Sequence, residues 1–280
     1  MSASTPFSSA SAPVSGSEPR ARAVLVTGAA KRIGRGIALE FARQGWDVAV
    51  HYGGSEREAR ETVADIEALG RRAVALKADL GVEVEVVRLV PACVEAFGGL
   101  SCIVNCASRF DEDAAIDFGY AKLLEMTAVN VAAPLTLARM LHEIVPEAAG
   151  ESDALRGVVI NMLDQKLYNM NPDYLSYTLT KAALENATIA LAQSLAPKLR
   201  VVGLAPGLTL ISAGQTPATF AAAHRVTPLN RASTVEDVAQ AACYLANAHG
   251  VTGTTLVVDG GQHLVPSPRD VMYMIGTRQP

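Results

Sequence analysis

The sequence reads as an α/β fold: one doubly wound parallel sheet with helices on both faces. Three observations point to it. Short, β-branched and almost wholly apolar runs alternate with longer amphipathic stretches from Ala23 to about Val265. This is the pattern of parallel strands buried on both faces and joined by covering helices. A glycine-rich loop lies directly between the first apolar run and the first amphipathic one. The chain has 280 residues and is 50% apolar, enough for one large domain with its own core.

In chain order, strand Ala23–Thr27 leads into helix Gly34–Gln44, strand Asp47–His51 into helix Glu56–Leu69, and strand Ala73–Ala78 into helix Glu83–Phe97. Strand Cys102–Asn105 is followed by helix Tyr120–Val145, strand Gly157–Leu163 by helix Tyr174–Leu195, and strand Arg200–Leu204 by helix Val235–Ala248. Thr255–Val258 completes the set as a seventh strand. Strict alternation implies right-handed crossovers, and such sheets bind ligands at the carboxyl ends of their strands. No linker, repeat or low-complexity stretch interrupts this body.

Residues 1–21 differ from the rest. They are rich in Ser, Ala and Pro, poor in aliphatics, and lack a basic start followed by an apolar run. A disordered arm is expected there rather than a secretory signal, with residues 22–280 forming the domain. With 24 Lys and Arg against 28 Asp and Glu, the formal net charge is −4. The isoelectric point is near 5.8. Such a balance argues against nucleic acid and against a polybasic membrane contact. No apolar run reaches the roughly 18–20 residues that span a bilayer. Cys93, Cys102, Cys106 and Cys243 form no CxxC pair, and His51, His142, His224, His249 and His263 are scattered. No metal site is expected. Reduced thiols fit a cytoplasmic protein.

The unusual residues gather at the predicted strand ends. Strand Ala23–Thr27 runs into Gly28, Ala29, Ala30, Lys31, Arg32, Ile33 and Gly34, with Gly36 just beyond. Glycines let backbone turn tightly against a pyrophosphate, and the following helix N-terminus offers free N–H groups. A dinucleotide is expected here. The second strand ends in His51, Tyr52, Gly53, Gly54 and Ser55, with no carboxylate to bond an adenosine 2′-hydroxyl. Lys31, Arg32, Ser55 and Arg57 are placed instead to surround a 2′-phosphate, which favours NADPH over NADH.

Tyr177 and Lys181 stand four apart near the start of a predicted helix, and so share one of its faces. A free tyrosine titrates near 10 and is a poor proton donor at neutral pH. A nearby cation favours phenolate, so Lys181 is expected to lower the Tyr177 value and make it a workable acid.

With these residues assembled, the chain resembles the short-chain dehydrogenase/reductase family from Ala23 to His263. The resemblance rests on Thr27 and Gly28 with Gly34, Asp79 and Leu80, Asn105 with Ala107, Asn130, Tyr177 with Lys181, and Pro206, Gly207 and Leu208. It implies a Rossmann-like domain with a seven-stranded sheet, assembled as a homotetramer, and hydride transfer between nicotinamide and a small-molecule substrate. Tyr177 would be the proton donor, Lys181 would hold the nicotinamide ribose, and Asn130 would position a water in a proton relay.

Three departures carry the substrate information. Arg32 stands at the middle glycine of TGxxxGxG, Cys106 replaces an Asn, and Asp164 stands where the family's catalytic Ser is expected. A Ser hydroxyl donates to a carbonyl oxygen that gains charge, whereas an ionised Asp repels it. Asp164 suits an amino-substituted ring with N–H donors and a C=N bond. The same departures resemble the pteridine reductase branch, whose loop TGAAKR-x-G is matched residue for residue from Thr27 to Gly34. That implies Phe110 stacking on a pterin, Arg32 touching pterin and pyrophosphate, Ser108 and Tyr174 lining the pocket, Asp164 working with Tyr177, and Thr209 following the Pro-Gly-Leu turn. The expected function is NADPH-dependent reduction of a C=N bond in a dihydropterin or dihydrofolate-like substrate. A carbonyl reductase and a non-catalytic NADP(H)-binding regulator are the alternatives. The Ala-, Thr- and Pro-rich stretch Thr209–Arg231 is expected to be a lid. The tail beyond His263 is expected at a subunit interface, on family analogy.

Overall fold

The computed structural model of the chain describes residues 21–274 except 212–215, 226 and 232. Residues 1–20 of the expected 1–21 arm, part of the expected lid and the last six residues lie outside the described residues. Seven strands form one sheet in the order β3-β2-β1-β4-β5-β6-β7, and every neighbouring pair is parallel. They are β1 (Ala23–Val26), β2 (Asp47–Tyr52), β3 (Ala73–Lys77), β4 (Cys102–Asn105), β5 (Gly157–Met162), β6 (Leu199–Pro206) and β7 (Thr255–Val258). The strand order reverses between β1 and β4, which opens a crevice at their carboxyl ends.

Alternate residues of each strand face opposite sides, and the core is accordingly split in two. On one side Val24, Val26, Val48, Val50, Val104 and Ile160 pack against α1 (Arg32–Arg43), α2 (Glu56–Ala68) and α8 (Val235–Asn247) through Ile37, Phe41, Ile66 and Cys243. On the other, Leu25, Ala49, Ile103, Val159 and Val201 meet α3 (Glu83–Phe97) and α5 (Ala133–Ile144) through Leu89, Leu137 and Leu141. A buried polar ladder crosses the sheet end: Asn105 Nδ2 donates to Asn161 Oδ1 at 2.8 Å, and Asn161 Nδ2 to Thr188 Oγ1 at 2.9 Å.

The single helix expected over Tyr120–Val145 is broken. It consists of α4 (Tyr120–Thr127), a π-helical turn over Ala128–Ala132, and α5. Pro134 in the first turn of α5 lacks the N–H that a continuous α-helix would use. The π turn places Asn130, buried, at its centre. The helix bearing Tyr177 is α6 (Leu175–Ser194). Within the Thr209–Arg231 stretch a helix, α7 (Pro217–His224), starts at a capping box between Thr216 and Thr219. A short helix, α9 (Val271–Met274), ends the described tail.

His51 binds three strand ends into one platform. Its Nδ1 accepts the Gly28 N–H at 3.0 Å, so the proton sits on Nε2, which donates to the Ala78 carbonyl at 3.1 Å. The sequence reading put His51 against the cofactor. The structure corrects this: the ring is 2% exposed and both its nitrogens are spent on backbone. Burial holds the imidazole below its ordinary value of 6.5. A depressed value means that the unfolded chain binds the proton more readily, so this contribution is complete above about 6.5 and fades as pH falls. In thermal melts between pH 8 and pH 5, the wild type should lose stability below that point. His51→Gln, which offers an acceptor and a donor without titrating, should show a flatter profile.

Candidate active site

The loop between β1 and α1 is a cradle whose backbone is crowded at Gly28 and Gly34. Gly28 has φ +66°, and a Cβ added there would lie 3.0 Å from the Ala107 Cα. A Cβ on Gly34 would lie 2.3 Å from the Gly28 carbonyl oxygen. Thr27 locks the crevice from beneath, since its Oγ1 accepts the Ala107 N–H at 3.0 Å. At the head of α1 the N-cap residue Lys31 makes no side-chain cap, so the amides of Arg32, Ile33 and Gly34 face the cradle side of a helix N-terminus. Tight glycine backbone and an uncapped helix end fit a pyrophosphate. Arg32 has φ +57°, a region that costs a non-glycine residue about 1–2 kcal/mol. Its guanidinium donates to the Ile211 carbonyl at 3.1 Å, linking the cradle to the loop after β6.

Around the cradle, the expected adenosine contacts are dispersed. Tyr52 is buried, Ser55 begins α2 without a side-chain cap, and Arg57 pairs with Glu58 and Glu61. Arg57 is thus turned to its own helix, while Lys31 at the head of α1 is exposed. Asp79 is spent on the turn after β3, accepting the Gly81 N–H, while Leu80 is buried beneath it. The side chain of Asn105 lies in the polar ladder under the sheet end. On the far side, Gly207 packs against Asp259, and the Leu208 N–H donates to Gln262 at 3.0 Å. Thr209 is buried and bonds Ser233 at 2.8 Å.

Asp164, Tyr177 and Lys181 meet beyond the end of β5. The Tyr177 hydroxyl donates to Asp164 Oδ2 at 2.8 Å, and the Lys166 N–H donates to Asp164 Oδ1 at 2.9 Å. Lys181 is 3% exposed; its Nζ donates to the Met162 carbonyl at 2.6 Å and lies 5.6 Å from the Tyr177 ring centre. The expected direction of the Tyr177 shift is reversed. Burial and the adjacent Asp164 carboxylate push the phenol well above its ordinary value of 10.0. Burial brings the Lys181 ammonium down to about 8, against the pull of Asp164. Burial disfavours the phenolate, and a carboxylate in hydrogen-bond contact disfavours it further. The phenol therefore keeps its proton.

Asn130 differs from expectation too. Its Oδ1 accepts the Arg109 N–H at 2.7 Å and the Ser108 hydroxyl at 3.2 Å. Its Nδ2 donates to the Arg109 carbonyl at 2.9 Å and to Thr180 Oγ1 at 3.0 Å. With every capacity engaged, the amide clamps the Ser108–Phe110 loop to α6, and no lone pair or proton of it is left for a water. Phe110, 47% exposed, stacks on Tyr174 with ring centres 4.4 Å apart and meets Tyr177 edge-on at 4.6 Å.

Several site residues escaped sequence reasoning. Asp113 is buried and its Oδ1 accepts the Ser176 N–H at 2.9 Å, capping α6. Lys166 is 4% exposed, donates to the Asp173 carbonyl, and lies 5.4 Å from the Tyr174 ring centre. Burial lowers its ammonium below the ordinary lysine value, while Asp270, Asp164 and Asp173 raise it. Asp173 takes Arg269 at 2.9 Å through both oxygens, and the Tyr273 hydroxyl reaches that of Tyr174 at 3.4 Å. The tail, expected at a subunit interface, thus folds onto the chain's own aromatic cluster. No local pattern marks these residues; only tertiary contact does. A separate cavity of about 640 Å³ at the β7 edge, lined by Tyr244, Asp259 and His263 among others, includes none of the catalytic candidates. Among the described residues no His, Cys, Asp and Glu cluster suits a metal, and no helix is long and apolar enough to cross a membrane.

Comparison with known proteins supplies the family. A family model described as "Enoyl-(Acyl carrier protein) reductase" matches residues 28–263. The 3beta-hydroxysteroid dehydrogenase 1 of Eggerthella lenta is 33% identical over 259 residues, spanning 88% of this chain and 95% of its own. Among solved structures, the FolM alternative dihydrofolate reductase 1 of Brucella canis, complexed with NADP, superposes with TM-score 0.79 at 36% identity, covering 87% of this chain and 94% of its own. A short-chain dehydrogenase from Burkholderia cenocepacia, also with NADP, gives 0.78 at 31% identity over 86% and 97%. A match this long, on a fold with this sheet order and this cradle, has one meaning: the chain belongs to the short-chain dehydrogenase/reductase family, a family of oxidoreductases.

Proposed function

We propose that the protein is an NADPH-dependent reductase of a C=N bond in a dihydropterin or dihydrofolate-like ring. The observation that carries this reading is the Tyr177–Asp164 hydrogen bond. In a carbonyl reduction the group beside the tyrosine must donate to an oxygen that is gaining charge, and a carboxylate only accepts. Reduction of C=N ends instead with a proton on nitrogen, and an amino-substituted ring presents N–H groups to an acceptor. The likeness to two Brucella FolM structures holding NADP supports the same substrate class and cofactor.

The Gly28–Gly34 cradle would hold the pyrophosphate of NADPH, and the bound cofactor would supply the hydride. The chain's residues do the rest. Phe110 offers an aromatic face to a flat ring. Asp164 accepts from the ring's N–H groups and holds the Tyr177 proton at Oδ2. Tyr177 delivers that proton to the ring nitrogen. The buried Lys181 ammonium, 5.6 Å from the ring centre, stabilises the phenolate left behind. Arg32, kept in spite of its strained backbone, supplies positive charge at the mouth of the cradle.

NADPH consumption should be seen with dihydrobiopterin, dihydromonapterin or dihydrofolate, and not with a panel of ketones and aldehydes. Tyr177→Phe should lower pterin turnover by about 100-fold or more, and Asp164→Ser should abolish it. Turnover of carbonyls alone would replace this reading with that of a carbonyl reductase. NADPH binding without any turnover would point to the regulator.

The pH profile tests Lys181. Because its pKa is lowered to about 8, the ammonium is present below that pH and lost above it. A fall in kcat/KM above about pH 8 is expected, and Lys181→Arg should move that limb upward by holding the charge. Arg32→Gly should leave the melting temperature equal or higher by about 2 °C, as relief of strain offsets glycine's chain entropy. The same change should weaken NADPH binding by about tenfold in a fluorescence titration.

A further inference from the structure

Tyr174 enters α6 with φ +54° and ψ +53°, a left-handed conformation that a bulky aromatic residue adopts only under constraint. The constraints converge from several sides. Asp113 accepts the Leu175 N–H at 3.2 Å through its carbonyl and the Ser176 N–H at 2.9 Å through its carboxylate. Asn171 accepts the Asp173 N–H at 3.2 Å. Beneath the turn lies Lys166, whose ammonium donates to the Asp173 carbonyl and stands 5.4 Å from the centre of the Tyr174 ring. Buried ammonium groups are expensive and rarely kept without cause. This one sits two residues beyond Asp164 and fixes that carboxylate as well, its own N–H taking Oδ1 so that Oδ2 is left for Tyr177.

We propose that Lys166 is a positioning residue of the substrate site, the centre of a clasp that joins the C-terminal segment to the aromatic wall. The inference rests on the reading of Phe110, Tyr174, Asp164 and Tyr177 as that site. The clasp runs through one residue. The Asp173 carbonyl takes Lys166, and its carboxylate, on a residue that is 8% exposed, takes Arg269 and the Asp270 N–H at 2.6 Å. Arg269 in turn covers the Tyr273 ring at 5.0 Å, and Tyr273 stacks on Tyr174 with centres 6.3 Å apart at an interplanar angle of 21°. Phe110 lies on Tyr174 at the same angle. Three rings are therefore held in register by two cations, one buried and one at the surface. Lys166 sets where the middle ring lies, and through it where Phe110 meets a substrate. Its role is in substrate fit, not in proton transfer.

The test combines amide hydrogen exchange over residues 167–178 with steady-state kinetics, in the full chain. In Lys166→Met, exchange in the turn before α6 should quicken by about tenfold, reporting loss of the clasp. KM for dihydrobiopterin should rise about tenfold with kcat within about threefold, the signature of lost positioning rather than lost chemistry. The dissociation constant for NADPH, bound across the crevice, should stay within about twofold. Lys166→Arg should recover most of the exchange protection and the KM. Arg269→Gln attacks the clasp from the surface, and should move both in the same direction by less. It decides the matter alone if Lys166→Met does not fold. Unchanged exchange in the turn overturns the clasp. Equal losses in kcat and NADPH affinity overturn the positioning role in favour of general damage. If the wild type reduces no pterin, the functional reading fails while the exchange measurement still decides the clasp.

Discussion

Gly28, in a left-handed conformation, approaches Ala107 so closely that a Cβ there would lie 3.0 Å from the Ala107 Cα, and the site is arranged around that contact. It brings the ends of β1 and β4 together at the point where strand order reverses. Thr27 bonds the Ala107 N–H across it, and His51 reaches over from β2 to hold Gly28 in place. Once these three strand ends are fixed, α1 must begin at Arg32 and point its N-terminus into the crevice. The loop after β4 must leave toward Asn130. Backbone, more than side chain, sets where a dinucleotide can lie. Side chains then decide what is done beside it.

The chemistry rests on an electrostatic imbalance in a dry place. Tyr177 is buried with a carboxylate at hydrogen-bond distance, so its proton is retained. Lys181 bears the cost of burial, which brings its ammonium down to about 8. On the proposed reading, the phenol gives that proton to a ring nitrogen while neighbouring N–H groups of the ring bond Asp164, which a simple ketone does not offer.

Most of the fold was legible because it follows from local rules. Apolar runs of strand length, glycines at the first turn and helical spacing survive in any tertiary context. All seven strands and the cradle lie close to where the periodicity puts them. The site was legible in part. Asp164, Tyr177, Lys181 and Phe110 come together as the spacing and the resemblance suggested. The roles of His51 and Asn130 did not follow, because an imidazole or amide says nothing of whether its partners will be ligand or backbone. The broken helix around Asn130 was hidden too, since α4 and α5 each keep helical spacing and a single π turn has no residue signature of its own. Lys166 and Asp113 were invisible for a further reason: surface residue types become interior ones only when a distant segment covers them.

The four bonds of Asn130 have a consequence for what the pocket can accept. They tie the Ser108–Phe110 loop to Thr180, whose hydroxyl in turn holds the Tyr177 carbonyl at 2.7 Å. The phenyl ring and the phenol, in edge-on contact at 4.6 Å, are thereby parts of one rigid wall. A guest does not have to order them on arrival, so little affinity is lost to freezing side chains. A rigid wall also judges flatness. A planar ring lies flush against Phe110, whereas a ring that has gained hydrogens puckers and lifts away. On the proposed reading, the wall that admits the substrate helps to expel the product, and turnover gains from stiffness where many enzymes need a moving part.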